Sequence, residues 1–90
     1  MTAYVILTGY SECFTESGTL ATDIFIGITM DEEIAKRRIK ELAEEERKTR
    51  PDMEYAEVPA GGPVIPKDAI LLQNYAESSW YYYNEYDIKE

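Results

Sequence analysis

Ninety residues containing 18 Asp and Glu, nine Lys and Arg and no histidine carry a formal charge of -9. A chain this short buries only about 60 to 65% of its unfolded surface, which suffices for one core and excludes two. The charge excludes the usual route to nucleic acid or anionic lipid, where Lys and Arg supply most of the affinity, and favours partners with a basic surface.

Apolar residues make up 44% of the chain, too many for the disordered class, so a folded domain over residues 1–90 is expected. Cys13 is the only cysteine and leaves no internal disulfide, which points to a reducing, cytoplasmic address. The apolar run from Ala3 to Leu7 is far shorter than the roughly 20 residues that span a bilayer, and neither a signal peptide nor a membrane segment is expected.

AYVILTGY (Ala3 to Tyr10) is apolar at nearly every position, as in a central strand covered on both faces. SECFTESGTLAT has turn chemistry and predicts a hairpin loop. TDIFIGIT (Thr22 to Thr29) alternates with a period of two and predicts the second strand. Thr29 and Glu32 form a capping-box pattern, so a helix is expected from about Met30. Ile34, Ala35, Ile39, Leu42 and Ala43 give it one apolar stripe, and Pro51 stops it at about Lys48.

MEYAEV (Met53 to Val58) predicts a weaker third strand, and PAGGPVIPKD a long loop. AILLQNY (Ala69 to Tyr75) predicts a fourth strand, AESS a turn, and WYYYNEYDI (Trp80 to Ile88) a fifth. The order ββαβββ predicts a single α+β domain: an antiparallel or mixed sheet of four to five strands with one amphipathic helix packed on one face.

Without histidine, the Ser-His, Cys-His and His-metal arrangements are absent, and Cys13 beside Glu12 is a poor nucleophile. Asp31, Glu32 and Glu33 open a helix, so capping rather than cation binding explains them. Gly61 and Gly62 lack the Gly-Lys-Ser/Thr that a phosphate loop needs; Val64 and Ile65 between two prolines are candidates for an exposed apolar finger. No enzyme activity, cofactor or metal is expected.

Charge is uneven. Residues 36–50 hold seven basic residues and four acids, a net of +3, while the other 75 residues hold 14 acids and two lysines, a net of -12. The basic run KRRIKE is flanked by acids at helical spacing and reads as a self-neutralised face.

On the last strand, Trp80, Tyr82, Asn84, Tyr86 and Ile88 share one side, expected to face the core. Tyr81, Tyr83, Glu85, Asp87 and Lys89 share the other. Tyrosines next to carboxylates suit an interface with a basic partner, and the candidate partner-binding residues are Tyr81, Tyr83, Glu85, Asp87, Glu77 and Glu90. Alternatively, Tyr81 and Tyr83 cover a sheet edge or stack on Tyr4, Tyr10 or Tyr75.

In size, acidity, lack of catalytic residues and α+β plan, the whole chain resembles the small inhibitors that phages deploy against host defences, including anti-CRISPR proteins and DNA mimics. The resemblance rests on general character and on no motif. It implies a host-cytoplasmic inhibitor whose carboxylates stand where phosphates sit in a nuclease or other nucleic-acid-handling protein. Glu77, Glu85, Asp87 and Glu90 near the last strand would be one such face, with Glu54 and Glu57 as candidates on the third strand and Glu44, Glu45 and Glu46 as a second face. The competing expectation is an assembly module that forms a homodimer through its aromatic C-terminal strand.

Overall fold

The computed structural model describes residues 1–12, 19–58 and 65–89. The elements run β1 (Thr2–Glu12), β2 (Thr19–Thr29), α1 (Glu32–Thr49), β3 (Glu54–Ala56), β4 (Ile70–Gln73) and β5 (Glu77–Asp87). They form one five-stranded sheet in the order β2-β1-β5-β4-β3, antiparallel at every pairing, with α1 on one face. The expected α+β plan is present, and the sheet is antiparallel rather than mixed.

The order follows from α1. Its 18 residues extend about 27 Å at 1.5 Å per residue, and five strands at about 4.8 Å spacing are roughly 19 Å across. The helix therefore carries the chain from the β2 edge to the β3 edge, and β5 returns to the middle. There it pairs with β1 along its whole length and with β4 over Ser78 to Tyr81.

Several boundaries differ from the sequence expectation for identifiable reasons. Asp31, not Thr29, caps α1: its carboxylate accepts the Glu33 N–H at 2.9 Å, while the Thr29 hydroxyl accepts the N–H of Asp31 at 3.2 Å. The β1–β2 ladder continues to Glu12 opposite Thr19, so Ser11, Glu12 and Thr19 to Thr22 of the expected loop are strand; residues 13–18, with Cys13, lie outside the described residues. The turn expected at residues 76–79 sits at 74–76, because Asn74 Oδ1 accepts the N–H groups of Ala76 and Glu77 and frees Glu77 to Ser79 for β5.

Ile65, a candidate for an exposed finger, packs on the core instead; Val64, Gly61 and Gly62 lie outside the described residues. Ile34, expected on the buried stripe of α1, is exposed.

Both faces of the sheet bury side chains. Under the helix, Ala35, Ile39 and Ala43 are buried against Ile6, Met53 and Leu72, with Tyr4, Ile70, Tyr81 and Tyr83 packed around them. The two alanines, both fully buried, let the helix backbone approach the sheet. On the opposite face Leu7, Leu71, Trp80 and Tyr82 form a second cluster, flanked by Val58, Ile65 and Ala69 of the β3–β4 connection. No helix among the described residues is long and apolar enough to cross a membrane.

Candidate functional site

Alternate residues of β5 from Glu77 to Asp87 point to the helix side of the sheet, and α1 lies across the middle of that row. Tyr81 and Tyr83, expected to face outward, are half-buried beneath the helix. The Tyr81 hydroxyl donates to Glu46 at 2.6 Å and the Tyr83 hydroxyl to Glu32 at 3.3 Å. The reason lies in the helix: positions 32, 35, 39, 42 and 46 fall at alternating three- and four-residue spacing, so both carboxylates share the stripe of Ala35, Ile39 and Leu42. These acids accept the phenols that the apolar stripe cannot satisfy.

Trp80 and Tyr82 lie on the opposite side and are buried, as expected of a core side. Tyr86 and Ile88, assigned to that same side, are exposed, because the described part of the β3–β4 connection packs with Leu71, Trp80 and Tyr82 and leaves the far end of the strand open.

The helix divides the expected row of carboxylates into two ends. At one end, Glu77 is ion-paired with Arg50, which also lies 3.9 Å from Glu46. A cleft of about 410 Å³ opens beside them, lined among others by Glu12, Glu46, Arg50, Glu77 and Tyr81. Burial, then the hydrogen bond to Glu46, pushes the Tyr81 pKa well above its ordinary value. Glu77 and Tyr81 are thus joined to groups of this chain.

At the other end Glu85 and Asp87 are exposed. Glu85 accepts the Tyr4 hydroxyl at 3.4 Å, and the Tyr4 and Tyr83 rings meet edge to face with centroids 5.9 Å apart. Glu32 stands beside them, Lys36 lies 3.9 Å from Glu32 and 3.5 Å from Glu33, and Asp87 lies 3.9 Å from the amine of Met1. A cleft of about 320 Å³ separates Glu32, Tyr83 and Glu85 from Pro66 and Lys67.

The phenols of Tyr4 and Tyr83 are both raised in pKa, first by desolvation and then by Glu32. They therefore stay protonated and keep donating to the acids around them. This open end holds two exposed carboxylates, two half-buried phenols and a helix N-terminus whose acids are only partly neutralised. Such a surface can receive ammonium or guanidinium groups through charge-assisted hydrogen bonds, with the rings supplying contact area.

The remaining sequence candidates fall elsewhere. Glu54 and Glu57 are exposed near the β3 edge, Glu44 and Glu45 are exposed on α1, and Glu90 lies outside the described residues. Tyr4 and Glu32 were not among the candidates; the register of Tyr4 opposite Glu85 and the heptad phase of Glu32 with Ala35 and Ile39 are the signals that place them. Asp31 is engaged as the cap, and among the described residues no group of three or more acids or cysteines is placed to hold a metal ion.

No protein-family model, curated protein or solved structure matches the chain.

Proposed function

We propose that the protein is a non-enzymatic inhibitor that binds a basic surface on a nucleic-acid-handling protein, such as a CRISPR effector or another nuclease, in the cytoplasm of a phage's host. Its contact is the open end of the helix-side face: Glu85 and Asp87, with Glu32, Glu33 and the phenols of Tyr4 and Tyr83. The observation that carries this reading is the exposure of Glu85 and Asp87 beside half-buried phenols in a chain of net charge -9. Glu77 and Tyr81 support it from within, by fixing the far end of the helix on the sheet.

The test is capture of partners from a host lysate with the wild type and with the Glu85→Lys/Asp87→Lys variant, with and without added DNA. The reading predicts a nuclease or other nucleic-acid-binding protein that DNA displaces and the variant fails to retain. Equal retention by the variant would remove this face from the contact.

Assembly through the C-terminal strand by edge pairing would use its second half. β1 occupies one side of β5 throughout and β4 occupies the other over Ser78 to Tyr81, so among the described residues the stretch beyond Tyr81 is the part of β5 without a second ladder partner.

A further inference from the structure

Among the described residues, the sheet face away from the helix is covered over Leu71 and Trp80 by Val58, Ile65 and Ala69, but not at the β2 side. There the register sets Phe25 opposite Leu7 and Ile28 opposite Val5, and on the next strand Asn84 opposite Val5 and Tyr86 opposite Ala3. These residues share one face. Phe25 is 63% exposed, Ile28 60%, Tyr86 51% and Ile88 41%. Their exposed surface adds up to roughly 450 Å², the size of the largest patch on a typical monomer, which is often functional.

We propose that this patch, centred on Phe25 and Ile28, is covered by a second copy of the same chain in an isologous dimer. Charge argues for that occupant. Asp23 is the only charged residue from Thr19 to Met30 in a chain of net -9, so a partner selected by basic charge has nothing to recognise here. An uncharged apolar patch is complementary to itself, and a two-fold contact needs only one such surface.

Area argues the same way. Two patches bury roughly 900 Å² together, just under the ~1,000 Å² that a stable interface clears, so the dimer expected is weak and reversible.

The two edges of the sheet also differ. β3 is three residues long and sits between Pro51 and Pro59 with Glu54 and Glu57 exposed, the devices that keep an edge from pairing. β2 is 11 residues long and has neither proline nor lysine. It is broken instead by register shifts where Ile26 is extra relative to β1 and where Thr22 and Asp23 together stand against Gly9, with Asp23 at φ 57°. Such bulges interrupt a continuous intermolecular ladder. The copies therefore meet through the side chains of the patch rather than by extending the sheet.

Sedimentation velocity from ~10 to ~500 μM, at about 0.05 M and about 0.5 M salt, tests this. The expected result is a monomer–dimer equilibrium that strengthens at the higher salt, because screening relieves repulsion between two anionic chains. Phe25→Asp and Ile28→Lys should each weaken association tenfold or more while leaving the far-UV spectrum and melting transition in place. Tyr86→Lys, on a different strand of the same patch, gives an independent reading if a β2 variant loses its fold.

A monomer under all conditions, a dimer that survives these substitutions, or a dimer that salt weakens overturns the proposal. So does a monomer that co-sediments through Phe25 with neutral phosphatidylcholine vesicles. The Glu85→Lys/Asp87→Lys variant should still dimerise, so loss of the basic-partner contact and loss of this one are read separately.

Discussion

Gly9 faces Trp80 across the β1–β5 pair, and a Cβ placed on it would lie 2.5 Å from the indole ring. Trp80 is 1% exposed and cannot swing away. Gly9→Ala should therefore destabilise the fold by about 1 to 3 kcal/mol through overpacking, measured as a lower urea midpoint at unchanged m-value. A comparable constraint holds Asp23, whose positive φ suits the short polar residues that tolerate the left-handed region. Its N–H donates to the Tyr82 hydroxyl at 3.0 Å, and that hydroxyl donates back to the Asp23 carboxylate. Removing the hydroxyl in Tyr82→Phe should cost about 1 to 2 kcal/mol in the same urea titration, since two polar groups lose their partner. Neither contact is readable from the sequence, because each depends on strand register rather than on neighbouring residue types.

At the scale of the element, α1 is fastened at its start by Asp31 and to the sheet by two phenols. Asp31→Ala should cost about 1 kcal/mol in a thermal or urea melt. Thr29→Ala should cost less, because its bond precedes the helix and closes no helical N–H. The phenols make stability depend on alkaline pH. Tyr81, Tyr82 and Tyr83 all have raised pKa values, chiefly from burial. A raised folded pKa means that above about pH 10 the unfolded chain has lost protons that the folded chain keeps. Stability is therefore complete below pH 10 and falls as pH rises through the folded values. Tyr81→Phe should flatten this alkaline limb in melts taken from neutral pH upward, and an unchanged slope would show that Tyr81 titrates alike in both states.

Across the whole molecule, the helix sorts the acidic charge. It ties Glu32 and Glu46 to phenols and brings Arg50 to Glu77, and it leaves Glu85 and Asp87 beyond its N-terminal end. Binding to a basic partner through that end should weaken as salt rises, about tenfold or more between ~0.05 and ~0.5 M, measured by titration calorimetry or biolayer interferometry. Self-association through Phe25 and Ile28 has the opposite salt dependence. One ionic-strength series thus separates the two surfaces.

The α+β class, the number of elements and the amphipathic helix were legible because each rests on local periodicity: a period of two in TDIFIGIT, and the 3.6-residue spacing of Ala35, Ile39 and Ala43. The exclusion of histidine chemistry and the weight of negative charge were equally local. Which side of β5 meets the helix was decided only in three dimensions, because Trp80/Tyr82 and Tyr81/Tyr83 are both large aromatic pairs and a two-residue period does not say which element covers which. The tertiary structure buried both pairs, one under the helix and one against the β3–β4 connection. It thereby moved the open surface from the middle of the last strand to its end. The physical reason is that alternation fixes which side chains go together, while the covering element fixes which of the two sides loses its water.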